Sequence, residues 1–211
     1  MKQKNYFLSG EGDKWIKRNS KEISNRNYND DLVLSELIKI KDCFFKKKKI
    51  KILEIGCGNS ARLQKINSNE IACFGLDPSI IAVNQSKKKG IAAQIGTADS
   101  LPFKNNFFDV VIFGFCLYVC DSSDYKKIKN ECLRVLKNNS FIILEDFYSK
   151  KKITKKLRHN KKIIVTKMEF TKIFIDDRIT LISRYIVDYL KKKYTKKENM
   201  WSTIDTLMVL K

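Results

Sequence analysis

From residue 50 onward, short apolar runs alternate with segments of helical spacing. The runs occupy 50–56, 71–77, 91–96, 108–115 and 140–147. Most of them are continuously apolar, which is typical of parallel strands that are covered on both faces. The pattern predicts an α/β fold with one doubly wound, mostly parallel sheet flanked by helices.

Two segments between these runs carry helix signals. SIIAVNQSKKKG follows Pro78, which suits a first helical turn, and ends at Gly90, which suits a C-cap. DSSDYKKIKNECLRVLKNN, at 121–139, begins with residues able to cap and repeats apolar side chains at helical spacing. We therefore predict helices over 79–90 and 121–139.

The flanking parts of the chain give weaker patterns. Apolar residues between 32 and 40 predict one helix in a polar, Asn-rich region. Beyond residue 150, the runs IIVTKMEF, ITLISRYIV and TIDTLMVL indicate three further strands between lysine-rich loops.

The chain has no internal repeat and no clear linker, so we predict a single domain over 1–211. Within it, the sequence pattern changes near residues 50 and 148.

Composition agrees with a soluble enzyme-sized domain. The chain has 211 residues and is 43% hydrophobic, which is enough for one full core. Its longest apolar run, at 110–120, is too short to span a membrane, and its N-terminus lacks the apolar core of a signal peptide. We predict a cytoplasmic location.

The six cysteines lie mostly in apolar segments, with no CxxC pair and no histidine nearby. This pattern is typical of reduced, buried cysteines and predicts no metal site.

The net charge of +20 suggests a polyanionic partner. However, only seven of the 43 basic residues are arginine, the side chain best suited to specific phosphate or base recognition. The abundance of Lys, Asn and Ile indicates a compositional bias, so we consider nucleic acid an unlikely but not an excluded partner.

The stretch ILEIGCGNSA, at 52–61, carries the main candidate site. Two glycines after a strand let a ligand approach the backbone. The spacing Gly56-x-Gly58-x-x-Ala61, with Asp77 19 residues beyond Gly58, also fits the dinucleotide fingerprint. Taken alone, this signal is weak, and the short segment ARLQKIN that follows argues against a long phosphate-binding helix.

Further motifs follow in order: GLDPS at 75–79, GTADSLPF at 96–103, FDVVIFGFCLYVCD at 108–121, and then ECLRVLKNNSFIILEDF. With the ExGCG turn at 54–58, these motifs resemble the class I S-adenosylmethionine-dependent methyltransferases over roughly residues 50–147. The resemblance implies a Rossmann-like sheet and S-adenosylmethionine as cofactor.

The resemblance also implies site residues. The turn would form a close-approach floor, Asp77 would accept hydrogen bonds from the ribose, and Asp99 would pair with the adenine edge. Alternatively, Asp77 caps the next helix and Asp99 holds a turn. The full implied cofactor set in the core is Glu54, Gly56, Cys57, Gly58, Asp77, Pro78, Ser79, Ala98, Asp99, Ser100, Leu101, Phe115 and Cys116.

A second unusual stretch is FLSGEGDKWIKRN, at 7–19. Its part GEGDKWIKRN resembles a lead-in element of methyltransferases from sugar and surface-polysaccharide pathways, including those linked to pseudaminic acid. The resemblance implies a lid over the cofactor, with Trp15 as a wall and Arg18 as a partner of the ligand carboxylate. The alternative is a frayed arm.

Methyl transfer from a sulfonium requires chiefly alignment and exclusion of water, although an oxygen or amine acceptor can also need a base. Asp121 and Tyr148 lie near the expected strand edge. The catalytic candidates are Tyr118, Glu145, Asp146 and His159, the last being the one histidine of the chain.

We therefore predict methyl transfer from S-adenosylmethionine to a small-molecule acceptor. Within the single domain, the resemblance implies an N-terminal lid and helix in 1–49, the cofactor-binding core in 50–147, and strands on the acceptor side in 148–211. A sugar or surface-polysaccharide precursor, which can be anionic, is the candidate acceptor. The alternatives are a non-catalytic adenosylmethionine sensor, or a methyltransferase that acts on RNA or on a lipid or quinone precursor. The oligomeric state does not follow from the sequence.

Overall fold

The computed structural model describes residues 2–25, 28–46, 48–191 and 193–210. The strands are β1 Ile50–Ile55, β2 Ile71–Asp77, β3 Ala92–Ile95, β4 Phe108–Gly114, β5 Leu136–Phe147, β6 Ile153–Lys156, β7 Ile164–Lys167, β8 Ile179–Asp188 and β9 Trp201–Val209. The α-helices are α1 Gln3–Tyr6, α2 Gly12–Arg18, α3 Ser20–Asn25, α4 Leu32–Ile40, α5 Ala61–Ile66, α6 Ile80–Lys88, α7 Tyr125–Val135 and α8 Thr171–Phe174.

Seven of the strands in the described ranges form one sheet in the order β3-β2-β1-β4-β5-β9-β8. The first five strands are parallel, and β9 pairs antiparallel with both β5 and β8. This confirms the predicted α/β architecture with a mostly parallel sheet. The strand order reverses between β1 and β4, and the crevice outside their carboxyl ends is where open α/β sheets bind ligands.

The continuously apolar strands are buried because each face of the sheet carries its own core. One core packs α7 and α8 against the sheet around Phe108, Phe113 and Phe174. The other packs α4 against it around Leu37, Ile52 and Phe141. Burial on both faces leaves the strand ends, rather than the strand faces, as the place where polar side chains can meet a ligand.

Two sequence predictions need correction. The helix predicted to reach residue 139 ends at Val135, because Leu136 pairs with Phe108 and begins β5. Pro78 does not lie in the first turn of α6; it precedes Ser79, whose hydroxyl accepts the Ala82 N–H as the N-cap.

The three runs predicted as strands beyond residue 150 each contain a strand, namely β7, β8 and β9. β7 pairs with β6 in a separate two-stranded sheet, whereas β8 and β9 belong to the main sheet.

The N-terminal segment lies over the carboxyl edge of the sheet. A turn of π-helix at Phe7–Glu11 connects α1 to α2, with Gly10 in a left-handed conformation. The Lys2 ammonium pairs with Asp124, and the Gln3 backbone N–H donates to Asp121 at 2.7 Å. These contacts hold the start of the chain to the loop that follows β4. Among the described helices, none has the length and apolar character of a membrane span.

Candidate functional site

A cavity of about 870 Å³ opens at the carboxyl ends of the parallel strands. Its floor is the turn after β1, its sides are the ends of β2, β4 and β5, and its cover is the N-terminal segment. It is therefore located at the strand-order reversal, where the fold predicts a ligand.

The floor is built from the two glycines of the ExGCG motif, both in the left-handed region. A Cβ on Gly56 would lie 2.7 Å from Cys116 Cβ and 2.9 Å from the Gly114 carbonyl oxygen, so this position has no room for a side chain. Gly58 lines the cavity, and a Cβ there would meet Ile16 Cδ1 at 4.0 Å. Gly56 thus shapes the turn, whereas Gly58 keeps the cavity open.

Asp77 ends β2 beside this floor. Its two carboxylate oxygens accept the backbone N–H groups of Gly58 and Ser79, both at 2.9 Å. Burial raises the pKa of the Asp77 carboxyl to about 6, although these two donors act in the opposite direction. The sequence offered two roles for Asp77, and the contact with Ser79 shows that it does order the start of α6.

A buried ionic cluster lies under the middle of the cavity. Arg62 Nε donates to Asp31 Oδ2 at 3.1 Å, Arg62 Nη1 donates to Glu54 Oε1 at 2.6 Å, and the remaining guanidinium nitrogen donates to Glu145. All four side chains are at most 5% exposed. One cation therefore serves three carboxylates.

Glu54 keeps an unused acceptor in this cluster. Its Oε2 atom is buried and accepts no hydrogen bond from any residue in the described parts of the chain. Burial raises the pKa of the Glu54 carboxyl to about 6, even though Arg62 opposes the shift. A buried oxygen without a donor points to a ligand group that completes it.

At the other end of the cavity, the Asp99 carboxylate is already engaged. It accepts Thr97 Oγ1 at 2.8 Å and pairs with the ammonium of Lys4 from the N-terminal segment. Burial disfavours the ionised carboxylate, but the contacts with Lys4 and Thr97 outweigh it and lower the pKa of Asp99. The carboxylate predicted to meet adenine thus also anchors the N-terminal segment.

The loop after β4 forms the central wall. Phe115 has a φ of 46°, an uncommon conformation for a residue with a side chain, and it lines the cavity with Cys116 and Tyr118. Strained positions of this kind cluster at ligand sites. Burial raises the pKa of the Tyr118 phenol above its usual range, so this phenol stays protonated and can donate a hydrogen bond.

The other catalytic candidates occupy different environments. Glu145 lines the cavity but is paired with Arg62. Asp146 accepts three backbone N–H groups, those of Leu117, Tyr118 and Phe147, and it holds the loop after β4 instead of facing the cavity. Burial raises the pKa of Asp146 to about 7.

His159 is exposed in the loop between β6 and β7 and lies off the cavity wall. Several predicted cofactor residues also lie off that wall, as the described residues define it. Arg18 Nη2 donates to Glu11 Oε1 at 2.6 Å instead of facing the cavity. Ser79 caps α6, and Leu101 is packed in the core. Ser100 is exposed.

The residues that the structure brings to the cavity from the predicted set share a position at strand ends or on the lid. They are Trp15, Glu54, Gly56, Cys57, Gly58, Asp77, Pro78, Ala98, Asp99, Phe115, Cys116, Tyr118 and Glu145.

Sequence reasoning missed Arg62, Asp31 and Asp13. Asp31 precedes the apolar run of α4, a typical N-cap position, and its side chain does accept the Val33 N–H at 2.9 Å. Asp13 accepts the Ser79 hydroxyl at 2.6 Å, which ties the lid to α6. Arg62 gave no local signal, because its three partners come from distant parts of the chain.

Comparisons with known proteins agree with this geometry. Residues 53–144 match the family model described as a methyltransferase domain. The chain is 29% identical over 136 residues to the uncharacterized methyltransferase YcgJ of Bacillus subtilis, covering 58% of this chain and 51% of that protein. The chain spans about half the length of the curated relatives it matches.

Solved structures share the fold. A SAM-dependent methyltransferase from Methanosarcina mazei superposes with a TM-score of 0.63 at 16% identity, over 77% of this chain and 93% of that one. A Burkholderia thailandensis 1,6-didemethyltoxoflavin-N1-methyltransferase, solved with 1,6-didemethyltoxoflavin and S-adenosylhomocysteine, gives 0.71 at 10% identity, over 100% of this chain and 91% of that one. At these identities, the likeness shows the fold.

Proposed function

From the match of residues 53–144 to a methyltransferase-domain model and the fold shared with solved methyltransferases, we propose that the protein transfers a methyl group from S-adenosylmethionine to a small-molecule acceptor. One observation carries the proposal: the open Gly58 position, the buried Asp77 carboxylate and the unused Glu54 oxygen converge on one cavity at the strand-order reversal.

The residues present fit the cofactor. Each Asp77 oxygen accepts one backbone donor and retains a lone pair for a ribose hydroxyl. Glu54 Oε2 can accept the ammonium of the methionyl part, which would satisfy its missing bond. Pro78, Ala98 and Asp99 line the side of the cavity that we assign to adenine.

When bound, S-adenosylmethionine supplies a methyl group on a sulfonium. The protein then has to align the acceptor and exclude water. Phe7, Trp15 and Lys4 of the N-terminal segment line the cavity and can provide that cover. Phe115 and Cys116 would lie near the reacting methyl, because they follow the central strand β4.

A narrower proposal concerns the class of molecule that receives the methyl group. The GEGDKWIKRN motif supports a sugar or surface-polysaccharide precursor, and three of its residues, Gly12, Trp15 and Asn19, line the cavity. The Burkholderia neighbour acts on a small heterocycle, which supports a small molecule in general. RNA, a lipid or quinone precursor, and a purely adenosylmethionine-sensing role are the alternatives to be tested.

Calorimetric titration of the purified protein with S-adenosylmethionine, S-adenosylhomocysteine and NAD tests the cofactor. We expect micromolar binding of the first two and none of NAD. Absence of adenosylmethionine binding would overturn the proposal and leave the glycine turn with a structural role alone.

Two glycine variants make the test specific. Gly58→Val should abolish cofactor binding, because the new side chain enters the cavity. Gly90→Val is the matched control: Gly90 also has a positive φ, of 76°, but nothing lies within 4 Å of a Cβ there and it does not line the cavity. Equal cofactor affinity in both variants would refute the assigned floor.

An assay of methyl transfer distinguishes a methyltransferase from a non-catalytic adenosylmethionine sensor. Labelled adenosylmethionine is incubated with the protein and with fractions of small-molecule extract, using Gly58→Val as the inactive control. Transfer of label to a small molecule supports the enzyme. Tight S-adenosylhomocysteine binding without transfer to any fraction would favour the sensor.

A further inference from the structure

The sign of charge inside the cavity is opposite to that of the whole chain. Among the described residues that line it, carboxylates outnumber cationic side chains nine to three, and the three cations are Lys4, Arg62 and Lys191. The chain as a whole has a net charge of +20. Lys2 and Lys127, which do not line the cavity, pair with two of these carboxylates, Asp124 and Asp99. Nine carboxylates against these five cations still give a small ligand an acidic wall.

The cofactor does not account for this excess. Adenosylmethionine carries one net positive charge, from an ammonium and a sulfonium against one carboxylate. The Arg62 cluster alone has two more carboxylates than cations. An acidic wall thus remains for the acceptor after the cofactor is in place.

The acceptor half of the cavity is also aromatic. Strand order places β5, β9 and β8 on the side of β4 away from Asp77, and this half is lined by Phe147, Tyr189 and Ile204. The ring centroid of Phe147 lies 5.1 Å from that of Phe115, 4.9 Å from that of Tyr118 and 5.2 Å from that of Tyr189. We call these four rings the aromatic wall.

The aromatic wall already binds one ammonium. Lys167 Nζ lies 4.9 Å from the ring centroid of Phe147 and 5.6 Å from that of Tyr189. Lys167 is not among the residues that line the cavity, so its ammonium reaches these rings from outside. The contact shows that these two rings can pack against an ammonium from outside the cavity.

We propose, on the basis of the methyltransferase function above, that the acceptor is a small organic cation whose ammonium is held between the aromatic wall and the acidic side chains of the cavity. The ammonium recognised in this way need not be the group that receives the methyl. Within the sugar class, this selects a sugar with a free amine over a phosphorylated or nucleotide-linked sugar.

The acids nearest this half come from the segment between α3 and α4 and from β5, and two of them, Asp31 and Glu145, belong to the Arg62 cluster under the middle of the cavity. Asp30 and Asp31 line the cavity beside Tyr28, and Glu145 lies at the end of β5. A phosphate placed here would face these carboxylates, with Arg62 already engaged and Lys191 at the exposed rim.

The test uses the full chain saturated with S-adenosylhomocysteine, and three probes of similar size: benzyltrimethylammonium, benzyl alcohol and benzylphosphonate. UDP-glucose represents the anionic nucleotide sugars. We expect the cation to bind about tenfold more tightly than the alcohol, and the two anions to bind more weakly still. Benzyltrimethylammonium cannot be methylated, so binding alone is measured.

Variants of two residues test whether the aromatic wall causes the preference for the cationic probe. Tyr189→Leu and Phe147→Leu should each remove most of the preference for the cation while leaving S-adenosylhomocysteine affinity unchanged. Tyr194→Leu, at a ring that is 76% exposed and off the cavity wall, is the matched control and should keep the preference.

Two results would overturn the inference: benzylphosphonate or UDP-glucose binding as tightly as the cation, or no detectable binding of the cation to the loaded protein. Both leave the cofactor proposal standing, because S-adenosylhomocysteine binding is measured in the same sample. Failure of S-adenosylhomocysteine to bind would instead overturn the proposed function.

Discussion

Replacing Arg62 with methionine should destabilise the protein by about 3 to 5 kcal/mol, the range for breaking a buried ionic pair by removing one partner. Arg62 donates to Asp31 at 3.1 Å and to Glu54 at 2.6 Å, and it also pairs with Glu145. Methionine fills much of the same volume but leaves three buried carboxylates without their common cation.

The magnitude follows from burial. Each partner side chain is at most 5% exposed, so water cannot replace the lost guanidinium. Burial already raises the pKa of Glu54 to about 6 with Arg62 in place, and loss of the cation should raise it further. A carboxyl group whose pKa is higher in the folded than in the unfolded protein lowers the free energy of unfolding as pH rises. The variant should therefore regain stability, relative to the wild type, when pH falls from about 8 to about 5.

Urea unfolding followed by circular dichroism measures the loss, and thermal melting should show a decrease of about 6 to 20 °C for a chain of this size. Arg178→Met is the control, because Arg178 is 55% exposed and pairs with Asp176 at 3.2 Å. Its cost should be under about 1 kcal/mol. The double variant Arg62→Met, Glu145→Gln should recover part of the loss.

Equal destabilisation by Arg62→Met and Arg178→Met would refute the reasoning. It would mean that the three carboxylates under the cavity are neutral or hydrated in the folded protein, and that the acidic wall is weaker than the contacts indicate.

Three further outcomes are expected. Asp77→Asn should weaken adenosylmethionine binding by about 1.5 to 3 kcal/mol in calorimetry. The affinity of the wild type should decline as pH falls through about 6, because burial raises the pKa of the Asp77 carboxyl to about 6. An affinity that does not change between pH 5 and 8 would contradict the role of Asp77 in binding the ribose. In a Trp201→Phe background, adenosylmethionine should change the fluorescence of Trp15, the one remaining tryptophan, because Trp15 lines the cavity. An unchanged emission spectrum with the cofactor bound would show that Trp15 is not part of the lid. Lys4→Gln should speed amide hydrogen exchange in residues 3–18 and leave the core strands unchanged, because it breaks the contact with Asp99; unchanged exchange in that segment would show that other contacts hold it.

The core of the fold could be read from the sequence because its signals are local. The apolar runs of β1, β2 and β4 are long, continuous and bounded by turns, and the glycine motif fixes where β1 ends. Asp77 at the end of β2 and Glu54 next to the end of β1 also meet at one sheet edge by the rules of parallel sheets. The positions of Asp77 and Gly58 at the cavity follow from those two facts.

The parts that failed depend on partners distant in sequence. Leu136 continues the helical spacing of α7, but pairing with Phe108 in β4 takes it into a strand, and Lys137 then pairs with Asp109 at 2.8 Å. Tertiary pairing overrode the local pattern. Likewise, nothing near Arg62 in the sequence identifies Asp31 or Glu145 as its partner.

The net charge of the chain does not describe what a ligand meets inside the cavity, and the structure explains why. A count of charges treats every side chain as equally close to a ligand, whereas the fold brings nine of the 23 acidic residues to the cavity wall and leaves most lysines on the outer surface. Keeping carboxylates such as Glu54 and Asp77 buried costs stability at neutral pH, as their raised pKa values indicate. A stability cost retained at a ligand cavity is expected where the charge is used in binding. The inner, acidic surface should therefore determine which small molecules the protein accepts, and the lysine-rich exterior should influence solubility and the rate of encounter.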